Sequence, residues 1–434
     1  MPQQHTGVNP HPEHGRWLIA NLLAQISFGL LAMTLCLPSM QEWGTIFDTS
    51  QADVQLTFSG YLVAYGVLQL VYGPLSDRHG RKPILMLGLA VAGLASLMAA
   101  LASDITTLTV ARVLQGAGSA ASMVVSRSMV QDLFIGPKRT RVMAYIGMAL
   151  GMCPPLATLI GGQIHVRWGW QVNFVLLAVL ALLLLLAAWW GLPRSPQPAQ
   201  SDSHWLHAML SAYARLARET RFVLYVVILA GSTATFYVFL GGAPIVLKAY
   251  GIGPDRIGWF IMAVPLSYIL GNFMTSRLIQ QMGEARVMAW GQALTLTGLV
   301  LMLALGLAGF HTALAVALPL MLLGLGHGLI NPPALAGTVG VLPALAGSAA
   351  AVAGLMQQLT GATGGYLVGL VPHEGAVNLG WMMLAFALVA AGAQFFCTNV
   401  DRQQGLTRCR RTTSHEGTVG LMRCSPNPYR PRMH

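Results

Sequence analysis

The sequence predicts an all-α membrane protein whose twelve transmembrane helices form two pseudo-symmetric six-helix bundles. Three observations support this prediction. The 434 residues are 55% hydrophobic and 9% charged, whereas soluble domains carry roughly 25% charged residues. Apolar runs of about 20 residues, the length that crosses a bilayer, recur along the chain and exclude a soluble protein with one very large core. Basic residues gather in alternate short loops, which is typical of cytoplasmic loops.

The predicted spans are continuous apolar runs rather than alternating ones, so we expect helices and not the strands of a barrel. No cleavable signal peptide is expected, because residues 1–16 are polar and the first apolar run has full spanning length without a cleavage site after it. In chain order, the spans lie at residues 17–39, 53–75, 84–103, 106–128, 142–165, 171–192, 222–247, 256–278, 287–309, 312–334, 345–371 and 376–398.

These spans divide the chain into five parts. A cytoplasmic N-terminal segment (1–16) precedes the N-terminal bundle (17–192), and a cytoplasmic linker (193–221) leads to the C-terminal bundle (222–398). A basic cytoplasmic tail (399–434) is expected to be disordered, with its arginines resting on anionic lipid. Of the 25 Lys and Arg residues, 21 lie in parts that this topology places in the cytoplasm and three in outer loops. This bias predicts that both termini are cytoplasmic.

The linker opens with Pro193, Pro196 and Pro198, which stop the sixth helix. Two interpretations of the rest of the linker stay open. It is either an amphipathic helix on the cytoplasmic leaflet or a solvated segment with incidental periodicity. The apolar residues at helical spacing are Trp205, Leu206, Met209, Leu210, Tyr213 and Leu216.

Features of the first half recur in the second half. The charged loop after span 2 has a weaker counterpart after span 8, which contains Arg277, Gly283 and Arg286. Span 5 is rich in Gly and Pro, and span 11 has glycine at every fourth position, a spacing that lets helices approach closely. A duplicated six-helix unit predicts a transporter whose site lies between the halves near the membrane midplane.

The charged loop between spans 2 and 3 has the spacing Gly-x-x-x-Asp-Arg-x-Gly-Arg-Lys. We expect Gly73 and Pro74 to end the second helix and Gly80 to permit a tight turn. A topology anchor would need only the basic residues of this loop, and the full spacing is far more specific than that. The candidate residues of this conformational latch are Gly73, Asp77, Arg78, Gly80, Arg81 and Lys82.

With this loop and the run Arg112-Val-Leu-Gln115-Gly116 in span 4, the chain resembles the major facilitator superfamily. It is most similar to the Bcr/CflA drug-efflux branch, which includes chloramphenicol- and bicyclomycin-resistance pumps. The resemblance implies the major facilitator fold and a drug:proton antiporter that alternates between inward-open and outward-open states, one of which the loop aspartate and arginines lock. It covers nearly all of 17–398, and the stretches that carry it are Val54-Gln55-Leu56-Thr57, Gln69-Leu70, Gly73-Pro74-Leu75-Ser76-Asp77-Arg78, Arg112 with Gln115-Gly116, Ser126-Arg127, Asp132-Leu133-Phe134, Gly161-Gly162 and Gly169-Trp170.

A guanidinium inside a span is costly and usually faces a polar cavity. The resemblance implies a role in proton transfer or substrate contact for Arg112, beside Gln115, while snorkelling to the outer interface stays open. The resemblance also implies a Gly/Pro motif in span 5 that kinks it or packs it against the other half, although this branch usually has a second proline where Thr158 stands. The motif residues here are Gly151, Pro154, Pro155, Gly161 and Gly162.

The branch commonly carries an acidic residue before a Tyr-Leu-Pro triplet in span 1, but the run Thr34-Leu35-Cys36-Leu37-Pro38 contains no carboxylate. A proton-coupled exporter needs a group that titrates between its states. His327 in span 10 is the one deep candidate, and a hydrogen-bonded packing histidine is the alternative reading. Candidate substrate contacts are the polar or flexible side chains within spans: Asn21, Gln25, Met148, Met152, Tyr237, Tyr268, Asn272, Asn331 and Gln357.

These features favour a secondary active transporter of the inner (plasma) membrane that exports small amphipathic compounds or drugs. It would use the proton gradient and no cofactor. Its expected partners are a small-molecule substrate and membrane lipid, and we expect a monomer. The lack of buried carboxylates favours neutral or anionic substrates over strongly cationic ones. Two alternatives stay open: a dedicated exporter or importer of a single metabolite on the same fold, and a non-transporting membrane sensor or scaffold.

Other classes of function have no support in the sequence. No nucleophile elbow, phosphate-cradling loop or nucleotide site is visible, so neither an enzyme nor an ATP-driven transporter is expected. The net charge of +11 is spread over short loops rather than one face, which argues against nucleic acid as a partner. The five cysteines are scattered without metal-ligand spacing, so no metal site is predicted.

Overall fold

The computed structural model describes residues 12–193 and 205–415, and these residues are almost entirely helical. The described part of the chain forms fifteen α-helices: α1 (Pro12–Thr34), α2 (Met40–Ile46), α3 (Gln51–His79), α4 (Arg81–Ala100), α5 (Ile105–Leu133), α6 (Pro137–Trp168), α7 (Gln171–Gly191), α8 (Trp205–Arg218), α9 (Thr220–Ala249), α10 (Pro254–Ile261), α11 (Ala263–Met282), α12 (Glu284–Leu307), α13 (Ala313–Gly340), α14 (Ala346–Leu370) and α15 (Ala376–His415).

These helices make the twelve predicted crossings, and the predicted fold class is confirmed. Helices α1 and α2 together form the first crossing, and α10 and α11 form the eighth. Within the described residues, eleven crossings are long and apolar enough to span a membrane. Helix α14 completes the twelve: its 25 residues are long enough, but Gln357, Gln358 and several glycines make it less apolar.

Two crossings are broken where a proline removes a backbone donor. After α1, the chain makes a 3₁₀ turn at Leu37–Ser39 before α2 begins, and Pro38 leaves the carbonyl of Thr34 without its helical partner. The eighth crossing changes direction at Met262, between α10 and α11, where Pro265 has the same effect on the carbonyl of Ile261. The first break has a consequence for the site, because it leaves carbonyl oxygens free inside the membrane.

The second crossing ends later than predicted. Helix α3 continues through Gly73 and Pro74 to His79, so the prediction that these two residues end the helix is wrong. A proline near the end of a helix removes one hydrogen bond but does not force the helix to stop. In the same turn, Ser76 Oγ donates a hydrogen bond to the carbonyl oxygen of Gly73 at 2.8 Å. The helix ends instead at Gly80, whose φ of +90° is readily adopted only by glycine.

The linker contains the helix α8, which agrees with the first of its two interpretations. Leu216 is fully buried against the C-terminal bundle, in a cluster that includes Phe222 and Ile330, whereas Leu210 is exposed. Its contact with a leaflet stays a prediction. At the end of the chain, α15 runs past the predicted boundary at 398 to His415, so this part of the predicted tail is helical. Pro196, Pro198 and residues 1–11 and 416–434 lie outside the described residues.

Helices α1–α7 form one bundle and α9–α15 form the other. We call the end that carries the turn at Gly80, between α3 and α4, the inner end and the opposite end the outer end. The bundles meet along two seams, one between α3 and α14 and one between α6 and the pair α10 and α11. Gly283, between α11 and α12, has a φ of +79° and a ψ of 159°, close to the 90° and 147° of Gly80. This shared backbone geometry at equivalent loops agrees with a repeated six-helix unit.

Candidate functional site

Arg112 lies on α5 in the interior of the N-terminal bundle and is fully buried. Its guanidinium donates to the carbonyl oxygens of Ala32 at 2.8 Å and Met33 at 3.5 Å, and to Gln115 Oε1 at 2.5 Å. Gln115 donates in turn to Ser96 Oγ of α4 at 2.7 Å. Arg112 and Gln115 therefore form one hydrogen-bonded unit that joins α1, α4 and α5.

The partners of Arg112 are available because α1 stops inside the membrane. Ala32 and Met33 are in the last turn of α1, where carbonyl oxygens have no partner within the helix and where the helix dipole is negative. The guanidinium carbon also lies 4.4 Å from the ring centroid of Tyr61, a cation–π contact. Span 1 has no carboxylate to pair with this charge. Backbone carbonyls and an aromatic ring stabilise it instead. Arg112 is enclosed and does not reach the outer interface.

The face of α5 that carries Arg112 stays polar toward the inner end. Ser119, Ser122 and Ser126 follow on this face and are fully buried. The hydroxyl oxygens of Ser122 and Ser126 have no hydrogen-bond partner among the described residues. Arg127, the next residue, is exposed at the inner end. One face of α5 is therefore polar from Arg112 toward the inner end, where Arg127 is exposed.

Two predicted contact residues lie where the bundles meet. Tyr237 of α9 packs edge-on against Phe58 of α3, with ring centroids 6.1 Å apart, and the ring fits against Gly361 of α14. Gln357, one turn before Gly361 on α14, donates to Thr233 Oγ1 at 2.8 Å. These residues place polar and aromatic groups at the centre of the α3–α14 seam.

Four further predicted residues belong to the C-terminal bundle. Tyr268 and Asn272 are half-buried on α11, next to Gly328 of α13, where the two backbones approach closely. Asn331 is half-buried on α13, and its Oδ1 is enclosed without a hydrogen-bond partner among the described residues. His327 lies one turn earlier on α13 and is 4% exposed. It lies on the side of α13 opposite the exposed side chains of Leu314, Leu318 and Met321.

Four predicted contacts lie away from the centre. Asn21 donates to the carbonyl oxygen of Ala187 at 2.7 Å, and Gln25 donates to that of Leu184 at 2.9 Å, so both pack α1 onto α7. The side chains of Met148 and Met152 on α6 are exposed. They continue a stripe of exposed side chains that also includes Tyr145, Leu156 and Ile160. Asn21 and Gln25 therefore pack within the N-terminal bundle, and Met148 and Met152 belong to the exposed stripe of α6.

The predicted latch joins the inner ends of four helices of the N-terminal bundle. Arg81 contacts the carboxylate of Asp77, donates to Ser76 Oγ at 2.8 Å and reaches Asp132 of α5 at 3.0 Å. Lys82 donates to the carbonyl oxygens of Trp189 at 2.6 Å and Leu192 at 2.9 Å, at the end of α7. Arg78 is exposed, and Gly73 lies near Val124 of α5. The latch thus makes the inner ends of α3, α4, α5 and α7 one unit.

The Gly/Pro motif of α6 faces two directions. Gly161 abuts the carbonyl of Leu35 within its own bundle, whereas Gly162 abuts the carbonyl of Pro254 in the other bundle. Gly151 faces the side chain of Ile269 of α11, and a Cβ placed there would lie 3.2 Å from it. Pro154 and Pro155 are buried, and Thr158 Oγ1 donates to the Pro154 carbonyl at 2.8 Å. The motif therefore packs α6 tightly against both α1 and the other bundle.

The outer ends of the bundles are held together by side chains that donate to backbone carbonyls. Gln41 Nε2 lies 2.6 Å from the Pro244 oxygen, Gln55 Nε2 2.8 Å from the Gly241 oxygen, Gln163 Nε2 3.1 Å from the Asp255 oxygen, and Lys248 Nζ 2.6 Å from the Gln41 oxygen. We call these four bonds the outer clamp. No hydrogen bond described for the part of the chain in the structure joins the inner ends of the bundles. A Cβ at Gly147, toward the inner end of α6, would meet nothing within 4 Å. This conformation is closed at the outer end.

Sequence reasoning missed the outer clamp as a site. Its signal was present but weak, because Gln41, Gln163 and Lys248 are polar residues near the ends of spans, where such residues are common. Gln55 entered only as part of a run that carries the resemblance. The acceptors are backbone oxygens, which every residue has, so no residue type marks them in the sequence.

Comparison with known proteins agrees with this geometry. The Major Facilitator Superfamily matches residues 17–365. Multidrug resistance protein D of Escherichia coli (strain K12) is 27% identical over 378 residues, which are 86% of this chain and 93% of that protein. A chloramphenicol resistance protein of Pseudomonas aeruginosa is 26% identical and covers 89% of this chain and 92% of its own length. A bicyclomycin resistance protein homolog of Haemophilus influenzae is 26% identical, with coverage of 86% and 96%.

Solved structures show the same fold. A bacterial homolog of the human lysosomal transporter Spinster, solved in an inward-facing and unoccupied conformation, aligns with a TM-score of 0.71 at 13% identity. The alignment covers 90% of this chain and 98% of that one. A D-xylose-proton symporter aligns with a TM-score of 0.68 at 16% identity, over 87% of this chain and 96% of its own. Both alignments support the two-bundle architecture, and the family match covers most of the chain. The resemblance predicted from the loop and from Arg112 is thereby confirmed, and this chain belongs to the Major Facilitator Superfamily.

Proposed function

We propose that this membrane transport protein exports small amphipathic compounds or drugs by alternating access, in exchange for protons. The observation that carries the proposal is the outer clamp. Among the described residues, the hydrogen bonds given between the bundles lie at the outer end, and two bundles joined in this way can rock about a central seam, as alternating access requires. The names of three relatives, which are resistance proteins, favour drugs as the substrates.

The residues at the centre favour neutral or anionic substrates. Within the described crossings, no carboxylate lies at mid-depth to bind a cation. Arg112 is enclosed by protein groups, so it is occupied by the fold rather than free for a ligand. Arg127 is the exposed cation at the inner end of the polar face of α5. A compound that enters from the inner end would meet this cation first.

The latch supports a switch between two states. In this structure, the carboxylate of Asp77 contacts Arg81 of its own loop and is 59% exposed. It is therefore available to contact the other bundle when the inner ends close. This availability agrees with the role that the sequence resemblance assigns to the loop aspartate, which is to lock one state.

We place the protein in the inner (plasma) membrane with both termini in the cytoplasm, because most of the basic residues lie at that side under this topology. The expected partners are the small-molecule substrate and surrounding lipid, and the working unit is a monomer. The proton gradient supplies the energy, and no cofactor is needed.

Drug susceptibility in a host that lacks its own efflux pumps tests the proposal. Expression of the wild type should raise the inhibitory concentration of several unrelated neutral or anionic amphiphiles. Asp77→Asn should remove this effect while the protein is still made and inserted, and the exposed outer residue Arg256 provides a matched control as Arg256→Gln. Resistance limited to quaternary cations would contradict the substrate class, and resistance to no compound would contradict drug export.

Proton coupling needs a separate measurement. In inverted vesicles loaded with protons, addition of a transported compound should release protons in wild-type vesicles and not in Asp77→Asn vesicles. Transport without proton movement would show a uniporter and would overturn the exchange mechanism, even if the resistance phenotype held.

A further inference from the structure

The outer end of the N-terminal bundle contains a partly buried acid–base pair that belongs neither to the latch nor to the Arg112 unit. His165, in the last turn of α6, lies with its Nε2 3.0 Å from Oε2 of Glu42, in the first turn of α2. The histidine is 7% exposed. The carboxylate side chain is 46% exposed and therefore reaches the outer solution. One member of the pair is enclosed and the other is in contact with water.

The second ring nitrogen of the histidine has no partner. Nδ1 of His165 is buried and accepts or donates no hydrogen bond among the described residues. When Nε2–H donates to the carboxylate of Glu42, Nδ1 carries a free lone pair and no proton. Buried polar atoms are nearly always bonded in folded proteins. A lone pair left open beside an outward-facing acid needs an explanation.

We propose that Glu42 and His165 form the proton-binding site that controls the outer clamp. The proton adds to Nδ1 of His165, which forms an N–H bond with the ring lone pair. The imidazole becomes an imidazolium, and the net charge of the pair changes from −1 to zero. No other bond is made or broken, and the proton comes from the outer solution.

The position of the pair links proton binding to the clamp. Gln163, two residues before His165, donates to the Asp255 oxygen of the other bundle. Gln41, the residue before Glu42, donates to the Pro244 oxygen and accepts from Lys248. Each member of the pair is thus within two residues of a bond that holds the outer ends together, so we expect a change at the pair to reach the clamp through the backbones of α2 and α6.

Protonation should open the clamp. In the closed state, a new N–H at Nδ1 would be buried without an acceptor, which is unfavourable. When the bundles separate at the outer end, water can accept this hydrogen bond. Because the protonated site is more stable in the open state, proton binding shifts the population toward that state. The pair therefore controls the opening of the outer end and does not itself carry the proton across the membrane, so this inference goes beyond the proposed function.

The other charged or polar side chains on the elements around the pair are of different residue types. The turn before α2 contributes the thiol of Cys36, and α6 contributes Arg167. Lys248 of α9 donates to the backbone oxygen of Gln41. On α10, Arg256 Nε lies 3.6 Å from Asp255 Oδ2. Helix α7 contributes Asn173, which donates to Ser39 and the Gly161 oxygen and has no charge. Among side chains of these types, only histidine ordinarily changes charge between pH 5 and 8.

A thiol-labelling experiment on the purified full-length protein tests the site. Ala52 of α3 lies against Gly369 of α14 at the outer seam, so an Ala52→Cys reporter should react slowly with a maleimide while the clamp is closed. Labelling of Ala308→Cys, in an exposed outer loop, corrects for the effect of pH on the reagent. Cys409 and Cys424 are replaced by Ser in both proteins.

In the wild type, corrected labelling of the reporter should rise about fivefold or more between pH 8 and pH 5.5, the change expected when a buried N–H without an acceptor becomes able to bond to water. His165→Gln retains an amide donor for Glu42 but has no titrating atom, so its labelling should stay flat. Glu42→Gln removes the negative charge that favours the imidazolium, so the rise should move to lower pH. The same rise in His165→Gln, or an unshifted rise in Glu42→Gln, would overturn the proposal.

The experiment separates this inference from drug export. Labelling uses no substrate, so a pH-dependent rise that needs His165 supports the site even if no compound is exported. A flat response in the wild type overturns the site whatever the resistance phenotype. If His165→Gln fails to fold, the direction of the shift in Glu42→Gln still decides the outcome.

Discussion

Arg112 shows how a charge is stabilised inside the membrane without a counter-charge. Its sequence position predicted either a cavity-facing group or a group snorkelling to the interface. The structure instead encloses the guanidinium between the open end of α1, Gln115 and the ring of Tyr61. The break at Pro38 supplies the free carbonyls, so the two sequence features that seemed unrelated depend on each other.

The shape of the guanidinium is essential to this arrangement. Lysine presents one compact ammonium and cannot reach both helix-end carbonyls and Gln115 together. We expect Arg112→Lys to destabilise the protein by roughly 1–3 kcal/mol for each buried acceptor left unpaired. Thermal unfolding in detergent, followed by tryptophan fluorescence, measures this loss. Arg78→Lys, at an exposed position, is the control, and equal midpoints for the two variants would contradict the account.

His373 gives a pH-dependent prediction outside the membrane. It lies in the outer loop between α14 and α15, and burial lowers the pKa of its imidazole below the ordinary value. The folded state therefore favours the neutral ring. Its contribution to stability is fully present above about pH 6.5 and is lost as the pH falls below that value, because the unfolded chain then takes up the proton first.

His373→Gln removes this proton uptake. Its unfolding midpoint should fall less than that of the wild type between pH 7.5 and pH 5, as measured by thermal unfolding in detergent at each pH. His311→Gln, at an exposed histidine of a neighbouring loop, should retain the wild-type pH dependence. The prediction fails if the wild type and His373→Gln lose stability in parallel.

At the scale of elements, glycines in α6 decide which surfaces the helix can touch. Gly161 and Gly162 are neighbours in sequence but pack against different bundles. Gly161→Ala should strain the contact with Leu35 inside the N-terminal bundle and lower its stability. Gly162→Ala should strain the contact with Pro254 between the bundles, at a cost of about 1–3 kcal/mol to the closed outer end.

The two variants should therefore differ in kind. Gly161→Ala should lower the unfolding midpoint, and Gly162→Ala should increase labelling of an Ala52→Cys reporter at the outer seam with a smaller change in the midpoint. Gly147→Ala is the matched control, because open space surrounds that position and alanine favours a helix. Equal effects of all three substitutions on both measurements would refute this division of roles.

Most elements could be predicted from the sequence because spanning length and loop charge are strong signals. The errors have local causes. Pro74 was expected to end α3, but a single lost hydrogen bond near a helix end is tolerated, and the positive φ of Gly80 is what ends it. The placement of Asn21 and Gln25 against α7 could not be predicted, since an amide within a span pairs equally well with a neighbouring helix or a cavity.

At the scale of the whole molecule, the conformation depends on contacts that sequence cannot show. The outer clamp uses backbone oxygens of Gly241, Pro244 and Asp255 as acceptors. Only the relative placement of the two bundles brings these oxygens to their donors. The repeat, the latch and Arg112 could be recognised in the sequence. Which end of the protein is closed depends on how the two bundles are placed against each other.

If the closed outer end is one state of a transport cycle, locking it should stop the cycle. Gln163→Cys and Asp255→Cys place thiols on either side of the α6–α10 contact, where the native side chain and backbone are 3.1 Å apart. A short thiol-specific cross-linker, or a disulfide if the geometry permits one, should then hold the bundles together. Substrate-driven proton release from vesicles should be lost after cross-linking. A reducible cross-linker should allow full recovery with dithiothreitol.

Each single-cysteine variant, treated in the same way, should keep its activity, because it cannot bridge the seam. Unimpaired transport by a fully cross-linked protein would mean that the outer ends need not separate, and alternating access through this seam would then be wrong.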